Sequence, residues 1–156
     1  MRNHLYKGVL AGFIATIALS VLMILKGMMG IMPQMNAIKM LSMMAHGFMG
    51  TPMTPVVGWL LHFIIGSILW GILFALLFER IPGSSAPVKG LVFSTAAWLV
   101  MMIVVMPIAG AGLFGLHIGL GAPVATLVLH WVFGAVLGAA YGKLTSTHFV
   151  ATHSHA

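Results

Sequence analysis

The chain has 156 residues, 61% of them hydrophobic and 5% charged, with a mean hydropathy of +1.13. A water-soluble domain carries a charged coat of about a quarter of its residues, so most of this surface must face lipid. The formal charge of +6 comes from scattered Lys and Arg with no basic stripe, which excludes a nucleic-acid interface, and the absence of cysteine excludes disulfides, thiolate metal sites and cysteine nucleophiles.

Four apolar stretches are long enough to span a bilayer: residues 7–31, 56–78, 88–109 and 119–141. About 20 helical residues cross a hydrocarbon core of about 30 Å. Backbone groups there cannot meet water, so they must pair within a helix. The first stretch follows Arg2 and Lys7, as in a signal peptide, but no small-x-small cleavage site follows it. Residues 27–55 form a long, methionine-rich connection in which 34–49 reads as a helix lying at the membrane surface. Residues 79–87 make a short Pro-Gly-Ser loop, 110–122 a glycine-rich turn, and 145–156 a polar, frayed tail. The predicted fold class is all-α, a four-transmembrane-helix bundle in one membrane domain, 1–144.

Lysine and arginine set the orientation. With the N-terminus inside, Arg2, Lys7, Arg80, Lys89 and Lys143 lie on the inner side, and Lys26 and Lys39 on the outer side. Both termini are therefore expected in the cytoplasm, with the methionine-rich connection outside.

An internal repeat runs through the chain. Lys7-Gly8 opens the first span and Lys89-Gly90 the third, while Pro55, His62 and Gly66 recur as Pro123, His130 and Gly134 at identical spacing. The expected architecture is two parallel-repeat helical hairpins, 7–80 and 89–144, related by a pseudo-twofold axis along the membrane normal. Gly8, Gly12, Thr16 and Ser20 at four-residue spacing form one face of the first span. Gly58, Gly66, Gly134, Gly138 and Gly142 let helix backbones approach closely.

Glu79 is the sole acid in the chain. Catalysis by paired carboxylates is thereby excluded, and a carboxylate relay for cation coupling has nothing to run on. His62 and His130 each fall about seven residues, or about 10 Å, inside their spans. A polar side chain at that depth usually faces the bundle interior. Gly66 and Gly134 lie one turn away, so each imidazole sits on a face stripped of bulk. Such a face admits either a neighbouring helix, to which the histidine simply hydrogen-bonds, or a flat cofactor. Two opposed imidazoles in a four-helix bundle can ligate haem b axially. His46 and His117, on the outer connections, make a metal site the competing reading, with copper or zinc as the ion. His148, His153 and His155 fall in the polar tail and read as solvated.

Met28, Met29, Met32, Met35, Met40, Met43, Met44, Met49 and Met53 crowd the outer connection. Thioethers are soft ligands that favour Cu(I), which adds Met28 and Met32 to a candidate metal set with His46 and His117. Methionine is equally a flexible apolar residue suited to an interfacial helix or a docking surface. Binding no cofactor at all is as well supported as haem or copper.

The runs Lys26-Gly27-Met28-Met29-Gly30-Ile31-Met32-Pro33, Gly58-Trp59-Leu60-Leu61-His62-Phe63 and Met106-Pro107-Ile108-Ala109-Gly110-Ala111-Gly112-Leu113-Phe114-Gly115 carry a resemblance. The chain resembles a family of small bacterial four-helix integral membrane proteins with no assigned function. That resemblance implies a prokaryotic inner membrane and supplies no activity. The functional expectation is a haem- or metal-binding accessory subunit using the paired histidines. The alternatives are a purely structural subunit or assembly factor of a larger membrane complex, and a small transporter that dimerises to form a path, with a homo-oligomer or a larger complex as the expected partner. An enzyme is the least supported class, because histidine is almost the only proton-transfer group within the spans.

Overall fold

The structure, a computed structural model, describes residues 2–151, with side chains from 3 to 146. Among the described residues it is all-helical, and four helices are long and apolar enough to cross a membrane. The spanning helices are α1 (Arg2–Met28), α3 (Pro55–Leu77), α4 (Ala86–Ile108) and α5 (Ala122–Ala151). A shorter helix, α2 (Ala37–Met49), forms where the surface helix was expected. The stretch expected to fray from residue 145 begins as helix, since α5 is continuous to Ala151; the rest of that tail lies outside the described residues.

Helix ends follow from local chemistry. The Asn36 side chain accepts the Lys39 amide at 2.9 Å and starts α2, and Gly50, at φ 67°, turns the chain out of it. Pro55, Pro87 and Pro123 stand in the first turns of α3, α4 and α5, where a missing N–H costs nothing. After α1, the chain reverses through Gly30 at φ 66° and Met32 at φ 47°. The Lys26 ammonium holds that reversal by donating to the carbonyls of Ile31, Met32 and Met35 at 3.1, 3.0 and 2.8 Å. A methionine in the left-handed region costs about 1 kcal/mol or more, and three charge-assisted bonds offset it.

The spanning helices pack in the order α3, α1, α5, α4, with α2 laid against α3. Close approach depends on small residues. Gly8 and Gly12 of α1 meet Gly66, Ser67 and Gly71 of α3, and Gly90 and Ser94 of α4 meet Gly134 and Gly138 of α5. In lipid the apolar side chains gain little by burial, so these backbone contacts carry much of the association. Large residues accordingly face outward: Ile17, Val21 and Leu25 of α1, and Leu60, Ile64 and Ile68 of α3, are exposed.

Two cores fill the interior. One joins Ala11, Ala15, Phe74, Phe93, Phe133, Leu137 and Tyr141, with edge-to-face rings linking α3 to α4 and α5 (Phe74–Phe93 5.2 Å, Phe74–Tyr141 5.5 Å). The other, towards the α2 end, joins Met102, Met106 and Ala111, with Met40, Met101, Trp98 and Phe114 packed on it.

Both outer spans of the order carry widened, π-helical turns, at Ile64–Trp70 in α3 and Met101–Val105 in α4. Such turns accommodate an extra residue within a helix. The small-residue contacts of the two hairpins can be laid side by side. Gly66 meets Thr16 as Gly134 meets Ser94, and that alignment puts Gly12 level with Gly90. That is one helical turn beyond the register suggested by the Lys-Gly dipeptides.

Candidate functional site

His62 sits half-buried on α3 between the rings of Trp59 and Phe63, at 5.7 and 5.8 Å between centroids. Its Nε2 lies 3.2 Å from the Ser20 hydroxyl of α1. That hydroxyl spends its proton on the Thr16 carbonyl at 2.7 Å, so it can only accept from the imidazole. His62 is therefore the Nε2–H tautomer, and its Nδ1 carries a lone pair.

His130 takes the opposite tautomer. Its Nδ1 is 2.8 Å from the Thr126 carbonyl on its own helix, and a carbonyl can only accept, so Nδ1 bears the proton and Nε2 the lone pair. The Thr126 hydroxyl donates to the Ala122 carbonyl at 2.7 Å and accepts the Trp98 indole N–H at 3.0 Å, tying α4 to α5. Among the described residues no hydrogen bond or ring contact joins the two imidazoles. Each side chain offers one acceptor nitrogen, able to take a hydrogen bond or a metal.

The glycines beside the histidines are occupied by the neighbouring helix. A Cβ added at Gly66 would fall 3.2 Å from Thr16 Cβ, and one at Gly134 would fall 2.6 Å from Ser94 Cβ. These faces serve backbone packing, the first of the two uses the sequence left open.

The remaining candidates are distributed over the α2 end. His46, exposed near the end of α2, donates from Nδ1 to the Thr51 carbonyl at 2.7 Å. His117, exposed in the connection between α4 and α5, lies 3.3 Å from the Gly110 carbonyl through Nδ1. Met28 is 79% exposed, whereas Met32 is half-buried with its thioether against Gly121, on the connection that also carries His117. No group of three or more His, Cys, Asp or Glu able to hold a metal occurs among the described residues. His153 and His155 lie outside the described residues, as does the side chain of His148.

Sequence reasoning did not single out the Trp98–Thr126 bond or the buried pair Met102 and Met106. The four-residue spacing of Gly8, Gly12, Thr16 and Ser20 did mark the face that meets His62. The same spacing in Gly90, Ser94, Trp98 and Met102 marked the matching face of the third span, but it did not show which hydroxyl the indole meets.

No curated protein and no solved structure matches the chain. A family model does match residues 2–151, the whole described length, and the chain belongs to that family of unknown function, DUF6789.

Proposed function

We propose that this multi-pass membrane protein is a non-catalytic accessory subunit of a bacterial inner membrane, with both termini in the cytoplasm, that docks onto a larger membrane complex through its α2 end. The observation that carries this reading is α2 itself. Its inner face, Ile38, Ser42 and Ala45, is buried, and Ile38 seats against Gly58 of α3. Its outer face exposes a cluster of large apolar side chains, Met43, Phe48 and Met49 at 50%, 72% and 63%, beside exposed Lys39 and His46. A helix between spans that keeps such an apolar cluster exposed has a second surface left to cover. Flexible methionines suit a surface that adapts to a partner. The test is purification in mild detergent from native membranes. Co-migration with larger subunits, lost on changing Phe48 and Met49 together to Ser, is expected; migration of the unaltered chain as a lone species would sink the reading.

A second reading, ligation of haem b or a metal ion by the histidines, draws support from His130. Its Nδ1–H is held by a backbone carbonyl, the support that ligating imidazoles commonly have, and its Nε2 is left to bind. His62 offers Nδ1 instead, since Nε2 is engaged by Ser20. A macrocycle between the two rings would also require the Thr16–Gly66 and Ser94–Gly134 contacts to open. An absorption spectrum with metal analysis of protein purified from haem- and copper-replete cells decides this reading; colourless, metal-free protein removes it.

A further inference from the structure

The two cores differ in a way that apolar filling does not require. The ring-lined core contains no methionine, whereas the core at the α2 end is built around Met102 and Met106, 0% and 2% exposed, with Met40 of α2 and Met101 packed against them. Leucine or isoleucine would fill the same volume with fewer rotamers to freeze. The feature methionine adds is a soft, neutral thioether donor.

We propose that Met102 and Met106, completed by Met40, form a binding site for one soft monovalent cation of the Cu(I) class. Three observations converge on it. Met102 lies inside the widened turn Met101–Val105 and Met106 directly after it, four residues on, and Met40 reaches the same cluster from a separate helix, so donors come from two elements. The Met106 thioether lies 3.6 Å from the Cβ position above Gly115, where the absence of a side chain leaves room beside the sulfur. The Trp98 ring, held by its bond to Thr126, packs on the same cluster. The surroundings select by charge and softness. The sole acid, Glu79, is exposed near the end of α3 remote from α2, so the cluster offers no anionic oxygen for Ca²⁺ or Mg²⁺. Cu(I) and Ag(I) are instead satisfied by thioethers. Met28, Met29, Met49 and Met53, 62–79% exposed, supply weak thioether contacts for an ion arriving from solution. This site is distinct from His46, His117, Met28 and Met32, and it stands whether or not α2 docks a partner.

The experiment uses the full chain in chloride-free detergent buffer, titrated with silver nitrate, desalted and analysed for metal. The unaltered protein is expected to retain about one Ag(I) per chain, with quenching of tryptophan fluorescence that disappears in Trp98→Phe. Met102→Leu with Met106→Leu, a volume-conserving pair, is expected to retain none, while Met28→Leu with Met29→Leu retains the full amount. Unaltered protein without bound silver overturns the proposal, as does a core variant that binds like the parent. Zn(II) retained through the same two methionines would overturn the soft-ion assignment. If the double core variant does not fold, the half-buried Met40→Leu decides: loss of one ligand should weaken Ag(I) binding by about tenfold or more, and unchanged affinity refutes the site.

Discussion

The contact between α1 and α3 and the contact between α4 and α5 use one device with a single residue of difference. In α5, Gly134 meets Ser94, and Gly138, four residues on, meets Ala86. In α3, Gly66 meets Thr16, and Gly71, five residues on, meets Gly8. The partner strips are equal, Thr16 to Gly8 and Ser94 to Ala86, so α3 carries one residue too many for a regular helix. The widened turn Ile64–Trp70 absorbs it. The polar links diverge in the same register. Ser20, the counterpart of Trp98, reaches His62, whereas Trp98 reaches Thr126 and leaves His130 to bond its own helix. Gly58, the counterpart of Thr126, is bare because Ile38 of α2 lies against it. The second hairpin has no such helix, and a hydroxyl fits there.

The sharpest way to break this correspondence is to remove one residue from each helix. Deleting Ile68, exposed and inside the widened turn, leaves Gly66 and Gly71 four residues apart, as in α5. Its cost should stay at about 1 kcal/mol, the ordinary scale of a single change. Deleting Val136 takes α5 below the spacing its partner strip needs and pulls Gly138 off Ala86. That protein should fail to give a monodisperse species in detergent. Equal thermal stability of the two deletions would end the one-residue account.

The next largest effect is expected at the glycines. Gly134→Val drives a branched side chain into Ser94 and the Gly90 carbonyl, and should cost about 3 kcal/mol or more. Gly47→Val meets nothing within 4 Å, and valine is a slightly better helix former than glycine, so stability should be unchanged or slightly raised. Thermal unfolding in one detergent compares them directly.

How far the sequence was legible follows from which forces leave a pattern. Four spans and the helix at α2 were readable because the length of an apolar run is local, whereas the Asn36 cap that starts α2 three residues later than expected was not read. The glycine faces were readable as packing or pocket, since a missing side chain is visible but whatever fills the space is not. The Lys-Gly dipeptides and the small-residue contacts align the two hairpins a turn apart, because Lys-Gly marks where a span meets the interface and not where helices touch. The tautomers were beyond reach altogether. They depend on a hydroxyl of α1 and a carbonyl of α5 whose positions only the packed bundle defines.

A smaller effect is expected at Lys26, the counterpart in role of Lys89. Lys26 ties the reversal after α1, and Lys89 ties the loop between the hairpins through the Phe78 carbonyl at 2.8 Å and the Phe78 ring at 4.5 Å. Lys26→Met strands three carbonyls, while Lys89→Met strands one. The first should therefore cost about 2 kcal/mol and the second about 1 kcal/mol. Faster hydrogen exchange at residues 30–35 in the first variant, with residues 78–85 unaffected, is the local signature.

The smallest effect separates the two histidines. In ¹⁵N-labelled protein near neutral pH, nitrogen shifts should report His62 protonated at Nε2 and His130 protonated at Nδ1. Ser20→Ala removes the acceptor for His62 alone, costing about 1 kcal/mol, and frees that imidazole to exchange between tautomers. His130 should not respond, because its carbonyl partner belongs to its own helix. A shift at both rings would mean that the imidazoles are coupled across the bundle, and the hairpins would then differ less than their hydrogen bonds imply. A shift at neither would place the His62 proton elsewhere and remove Ser20 as the residue that sets it.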